Sequence, residues 1–346
     1  MLVARADRRL ASLLQTETRE RDLRETLRRL VRDGFDRLPL PGAGRTLERW
    51  QSLAAVAAQD LPLVKLFEGH TDALAILEEL SWRDIGSHLR YEMPEGSLWG
   101  TWCAEPPDAR VTLDRQGDAS TVALHGTKAW CSGAHVVTHA IVSCWNETGE
   151  PCLAAIALDQ PGVTVTEEGW HAVGMAATRS VDVRFDHAFA TVVGRPGDYV
   201  GRPGFWQGGA GIAACWYGGA QGIAEMTRRL CGPRPDAHRL AHLGAVDIAL
   251  AGAAAVLRET AAWIDAEPAA NAQLRATRAR SICESTATTV VAHAGRALGA
   301  APLCRDARFA QAMADLPVFI RQSHAERDLA ALGGLLLDAE EAPWTL

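Results

Sequence analysis

The sequence predicts an α+β, multidomain chain with an N-terminal helical domain, a central antiparallel β-barrel or sandwich, and a C-terminal four-helix bundle. Three changes of hydrophobic period carry this. Apolar residues recur every three to four positions from Leu2 to about Ser87, alternate from Leu98 to about Val193, and return to the helical period thereafter. The domain spans that follow are 1–97, 98–193 and 194–346.

In the first span, "LRETLRRLVRDGF", "LERWQSLAAVAAQDL" and "TDALAILEELSWRDIGSHL" each place an apolar stripe on one helix face. Gly34, the "LPLPGAG" segment and Gly69 divide the span into three or four helices, because Gly and Pro end helical hydrogen bonding for opposite backbone reasons. In the second, "ARVTLDRQG", "STVALHGTKAW", "VVTHAIVSCW", "CLAAIALD", "GVTVTEEGW" and "SVDVRFDHAFA" are short alternating runs separated by turn residues. With no helix between them, they suit antiparallel pairing in a closed or doubled sheet. After "GRPGDYVGRPGF" come four Ala-rich stretches, Trp206 to Cys231, Ala237 to Trp263, Asn271 to Leu298 and Arg308 to Leu337, joined by short loops as in an up-and-down bundle.

Composition excludes several functions. A net charge of −7 argues against a nucleic-acid partner, and the arginines of "TRERDLRETLRRLVRD" alternate with acids as on a solvated helix face. No apolar leader opens the chain, and "GAVDIALAGAAAVL" is short and carries Asp247, so neither secretion nor a membrane span is expected. Eight cysteines scattered from Cys103 to Cys304 include no CxxC pair and no zinc-type His spacing. Free thiols, a cytoplasmic location and no metal are the expectation. Cys131 has no base beside it in sequence and reads as a small buried hydrophobe.

The stretch "GTKAWCSGA", Gly126 to Ala134, sets a Trp before a run of small polar residues. Taken alone, it is a strand Trp packed in the sheet interior with a Ser in a hairpin turn, or a flat platform for a ligand. Its surroundings favour the second. "CAEP" (Cys103 to Pro106), "GTKAWCSGA", "VGMAATRSVDVRFDHAF", "YGGAQGIAEM" and Arg305 to Arg308 follow one another in order and spacing. From about Leu98 to Arg327 the chain thereby resembles the acyl-CoA dehydrogenase superfamily. That resemblance implies an FAD-dependent oxidoreductase assembled as a homodimer or homotetramer. Trp130 would cover one face of the isoalloxazine, and Ser132 would donate its hydroxyl near N5. Backbone groups of Trp102, Cys103 and Ala104 would serve the pyrimidine edge, with Glu105 either on that edge or structural. Arg234 or Arg239, together with Arg296 and Gly299, would hold the adenine half across a subunit boundary.

In the family a carboxylate removes the proton beside a thioester carbonyl while hydride passes to the flavin, and Asp315 is the candidate at that position. Otherwise Asp315 reads as the N-cap of a helix beginning near Pro317. The family's "G-T" after the base is Leu316 and Pro317 here, and "PDARVTL" replaces its "G-x-G-S-D" loop. In "QSHAERD", His324 and Asp328 share a helix face, as an oriented imidazole or a solvent-facing pair. The leading expectation is desaturation of an acyl thioester carried by CoA or a carrier protein, with an electron-transfer partner. The alternatives are a monooxygenase using reduced flavin from a separate reductase, and a catalytically silent binding member.

Overall fold

The structure, a computed structural model, describes residues 22–81, 93–115, 121–338 and 344–345. The expected helical start at Leu2, the "WRDIGSHL" end of the first span and the turn at 116–120 lie outside the described residues.

Three helices open the chain: α1 (Leu23–Arg32), α2 (Thr46–Ala57) and α3 (Leu61–Ser81). The Asp22 carboxylate caps α1 by accepting the Arg24 and Glu25 N–H groups, and Leu23, Leu27 and Leu30 form its buried stripe. Seven strands follow: β1 (Trp99–Trp102), β2 (Val111–Arg115), β3 (Thr121–Cys131), β4 (His139–Trp145), β5 (Pro151–Ala157), β6 (Val163–Val165) and β7 (Val181–Val193). The order β4–β2–β3–β7–β5 closes on itself because β5 also pairs with β4, which makes a small barrel. β1 shares the β2-side edge of β4, and β6 pairs with β7.

The sheet is not wholly antiparallel, as the alternation predicted. β1 and β2 both run parallel to β4. The β2–β3 hairpin lies between β1 and β4 in sequence and serves as the crossover that parallel neighbours require. The chain leaving β3 restarts beside Leu98, whose carbonyl accepts the Thr138 and His139 N–H groups at 2.8 and 2.9 Å.

The rest is helical: α4 (Asp198–Gly201), α5 (Pro203–Leu230), α6 (Ala237–Ala266), α7 (Gln273–Leu298), α8 (Ala300–Arg305), α9 (Ala307–Phe319) and α10 (Glu326–Leu337). Where a single fourth helix was expected, the chain forms α9 and α10 with a break at Ser323–Ala325. Ala325 is left-handed there (φ 45°), Ser323 Oγ accepts its N–H, and Asp328 accepts the His324 N–H. These local bonds compete with the helical ladder and end it. Nor does Asp315 cap a helix: α9 starts at its Asp306 cap and runs through Pro317 to Phe319.

α5 packs against α2 at backbone distance. A Cβ on Gly218 or Gly222 would stand 2.3 Å from the Ala54 carbonyl oxygen or 2.5 Å from that of Ala58. α6 is longer than the sequence segment suggested. Its most apolar window has a mean hydropathy of 1.8, long and apolar enough by length and composition to cross a membrane, yet only 17% of that window is buried within the chain. Ile248 and Leu240 stand exposed on it.

Gly218→Ala tests the α2–α5 contact. Alanine would gain about 1 kcal/mol of helix propensity, but its methyl meets main chain that has no rotamer to yield, a cost of about 1–3 kcal/mol. The expected result is a lower thermal midpoint than wild type; an unchanged or higher one would remove the close approach.

Candidate functional site

Strand alternation should put Lys128 and Trp130 on one face and Cys131 on the other. Instead Lys128 and Cys131 both point inward, buried to 1% and 0%, while Trp130 is 52% exposed. The cause is a bulge: the register against β7 runs from Lys128↔Val183 to Cys131↔Val181, so Ala129 and Trp130 stand opposite Asp182 alone. Trp130 absorbs the extra residue in the left-handed region (φ 57°), a conformation costing an L-residue about 1–2 kcal/mol. The indole therefore stands outside the core.

What holds the bulge is a buried charge. Lys128 Nζ donates to Glu105 Oε1 (2.6 Å), Ser143 Oγ (2.6 Å) and the Ser143 carbonyl (3.0 Å). Glu105 also accepts from Trp145 Nε1 at 3.0 Å and from the Ser143 hydroxyl. Burial pushes its carboxyl up, but the hydrogen bonds from Lys128, Ser143 and Trp145 with the Lys128 charge outweigh this and hold it below the ordinary range. Glu105 thereby fixes the "CAEP" segment to the barrel.

After Trp130 the chain turns through Ser132. Its carbonyl accepts from Trp102 Nε1 at 3.1 Å, so Trp102, itself buried to 2%, braces the turn. The Trp102 ring is buried, which leaves its backbone groups for the pyrimidine-edge role that the resemblance implies. Cys103 is half-buried with its thiol pushed up by burial to about 11, and Ala104 is exposed. Cys131 is buried and its thiol is raised by burial, which leaves it inert.

Ser132 Oγ lies 2.8 Å from Ser180 Oγ, which lies 2.8 Å from Thr178 Oγ1. The direction of this chain is set at its far end. Thr178 Oγ1 donates to the Met175 carbonyl (2.8 Å), so its oxygen takes the Ser180 proton and the Ser180 oxygen takes the Ser132 proton. With this direction Ser132 donates to Ser180 and offers its remaining lone pairs to a ligand, where the sequence suggested a donor. The hydroxyls of Thr178 and Ser180 went unnoticed in the sequence, although both stand in the quoted "GMAATRS" segment.

The same loop carries Asp315's partners. Met175, left-handed at φ 59°, donates its N–H to Asp315 Oδ1 at 2.5 Å, and Gln311 Nε2 donates to that oxygen at 2.7 Å. Gly174 permits the approach, since a Cβ there would stand 2.0 Å from the Ala314 carbonyl oxygen. Burial (1% exposed) raises the Asp315 carboxyl despite these two bonds. Asp315 clamps α9 to the loop that orients Ser132.

The remaining candidates sit elsewhere. Arg239, at the start of α6, bonds the Cys231 carbonyl (3.4 Å) and lies 3.8 Å from Asp236. Arg234 and Arg296 are exposed, and Gly299 (φ 67°) caps α7. His242 and His293, 2.9 Å apart, join the start of α6 to the end of α7, so these residues share one end of the bundle. No hydrogen bond connects them to Ser132 among the described residues. His324 is held by Asp328 through its N–H (3.0 Å) and Nδ1 (3.3 Å), and its side chain is 58% exposed.

Helices, small barrel and helices in this arrangement define the acyl-CoA dehydrogenase-like fold. The particular structures it resembles are flavin-associated oxygenases and relatives of them. Dibenzothiophene monooxygenase (TdsC) from Paenibacillus sp. A11-2 is 20% identical, matched over 96% of this chain and 97% of that one at a TM-score of 0.77. It has also been solved with FMN and indole. KijD3, in complex with FMN and dTDP-3-amino-2,3,6-trideoxy-4-keto-3-methyl-D-glucose, is 21% identical over 99% and 93% at 0.79. A nitrososynthase from Micromonospora carbonacea var. africana is 18% identical over 98% and 95% at 0.77. No protein-family model and no curated protein matches the sequence.

The raised Asp315 carboxyl gives a pH signature. A carboxyl whose pKa is higher folded than unfolded contributes stability fully present below the unfolded value of about 3.9 and lost as pH rises through the native value. Asp315→Asn stays neutral and its oxygen can accept both bonds, so its thermal midpoint should gain on wild type as pH is raised from about 4 toward neutrality. A constant difference across that range would contradict the assignment. Asp315→Ala, which strands the Met175 N–H, should cost about 1–3 kcal/mol by denaturant unfolding.

Proposed function

We propose that this chain is a flavin-dependent monooxygenase acting on a small molecule with an oxidisable sulfur or nitrogen, rather than an acyl-thioester dehydrogenase. The observation that carries this reading is the commitment of Asp315. The sole carboxylate matching the dehydrogenase base position is spent on the Met175 N–H and Gln311 inside the protein. A base must reach the proton it removes, and Asp315 is buried with its Oδ1 taken up by two protein donors. The loss of the "G-T" and "G-S-D" segments, into "LP" and "PDARVTL", points the same way.

The exposed Trp130 ring and the acceptor face of Ser132 fit a flavin. Trp130 offers a flat apolar surface for one ring face, and the backbone of Cys103 and Ala104 lies on the segment fixed by Lys128 and Glu105. Ser132 Oγ accepts a hydrogen bond, which matches the N–H that N5 carries only in the reduced ring. When bound, reduced flavin supplies the electrons with which dioxygen is activated. The protein's part is to seat the ring, hold Ser132 in its acceptor orientation through Ser180 and Thr178, and exclude water beneath the Met175 loop.

FMN is the form we propose, in place of FAD. Arg239 is turned back on the Cys231 carbonyl at the end of α5 and on Asp236, and FMN is the flavin in the dibenzothiophene monooxygenase and KijD3 complexes. The exposed apolar face of α6 is proposed to be covered by a second copy of the chain in a soluble homo-oligomer.

The test is direct. Protein given FMN, a flavin reductase and NADH should consume oxygen in the presence of thioethers, thiophenes or amines, and yield the oxygenated product. Anaerobic bleaching of bound flavin by an acyl thioester, abolished in Asp315→Asn, would overturn the proposal. Trp130→Ala should weaken FMN binding about 10-fold, from loss of about 1.4 kcal/mol of ring contact, read by flavin fluorescence. Ser132→Ala should weaken reduced FMN more than oxidised FMN, lowering the midpoint potential of the bound flavin.

A further inference from the structure

In the middle of β3, before Trp130, three adjacent strands bring together imidazoles and carboxylates that the proposed flavin chemistry does not use. His125 on β3 pairs in register with Asp186 on β7, and the register then shifts so that His187 is an extra residue, left-handed at φ 54°. The bulge brings His187 over His125, with ring centroids 4.2 Å apart at 84°. His125, Asp186 and His187 each present one ligand atom within 4.8 Å of the other two. Asp114, on β2, adds a fourth donor: its Oδ2 is 3.3 Å from His125 Nε2.

The donor types and their surroundings suit a borderline divalent cation. His125 Nε2 is shielded from solvent and makes no hydrogen bond. A shielded nitrogen without an aligned hydrogen bond is unfavourable even beside Asp114, and a metal ion would satisfy it. The other donors are open to solvent, with Asp114, His187 and Asp186 side chains 54%, 74% and 91% exposed, so an ion can enter and the outer ligands can close on it. Four ligands at about 2.0–2.1 Å from zinc stand about 3.3 Å from one another. Contraction from 4.8 Å is within the reach of exposed side chains. Two imidazoles with carboxylates favour zinc over calcium or magnesium, which take all-oxygen sets.

We infer that His125, His187, Asp186 and Asp114 form a zinc-binding site that ties β2, β3 and β7 together on the outside of the barrel. The site is structural, distinct from the Trp130 region, and independent of the flavin reading. No spacing rule discloses it, because its ligands come from three strands and meet through register.

Isothermal titration of tag-free, chelator-treated full chain with Zn²⁺ should give one equivalent bound and a raised thermal midpoint. Co²⁺ should give the visible absorption of a four-coordinate His/carboxylate site. His125→Ala and His187→Ala should each weaken Zn²⁺ binding at least about 10-fold, and His242→Ala, at the other histidine pair, should not. Circular dichroism establishes that each variant is folded, and the conservative Asp186→Asn gives a second reading should His125→Ala fail to fold. Wild-type binding no tighter than that of the His125→Ala/His187→Ala double variant, or binding abolished by His242→Ala instead, would overturn the assignment.

Discussion

The candidate cofactor site depends on an ammonium group inside a β-barrel. Lys128 is buried, and burying an unpaired ammonium costs several kcal/mol. Its three oxygen partners, Glu105, the Ser143 hydroxyl and the Ser143 carbonyl, offset that cost only if Lys128 stays on the inner face. Cys131, three residues on, is also inside. Two inward residues at odd spacing cannot be met by an alternating strand, so one residue between them leaves the regular conformation. That residue is Trp130, and its exposure follows from the chemistry of its neighbours. The same ion pair fixes the "CAEP" segment, so one buried charge positions two parts of the site.

A second contact governs how the site is polarised. Asp315 on α9 reaches the Met175 N–H, and the Met175 carbonyl, on the other side of the same residue, receives the Thr178 hydroxyl proton. Through Ser180 this makes Ser132 an acceptor. Helical and barrel parts thus meet in the loop at 174–180, and a residue that resembles a catalytic base by position acts through geometry. The two bulges of β3 and β7, at Trp130 and His187, follow one design: a left-handed non-glycine residue turns a side chain out of alternation towards a place where it has chemistry to offer.

Much of the fold was legible, and for a clear reason. The change from period three-to-four to period two and back reports which face of each segment is buried, and removing apolar surface from water is the main force that drives the chain to fold. Helices α1 to α3, the strands after Leu98 and the long α5, α6 and α7 all follow it. The parallel pairing of β1 and β2 with β4 was illegible because alternation says nothing of direction. The break before α10 was illegible too. Ser323 and Asp328 end the ladder by local hydrogen bonds, while the apolar pattern runs on across them.

Within the site, Trp130 and Ser132 were legible from "GTKAWCSGA" and its neighbours, but their roles were only half so. Sequence by itself determined the order of elements, the candidate Trp and the hydroxyl beside it, since residue type and period are properties of the chain. Tertiary structure alone decided that Asp315 is a clamp, that Ser132 accepts, and that His125 meets His187. Each of these turns on which donor stands opposite which acceptor across separate elements, and hydrogen-bond direction and strand register exist only once the chain has closed on itself.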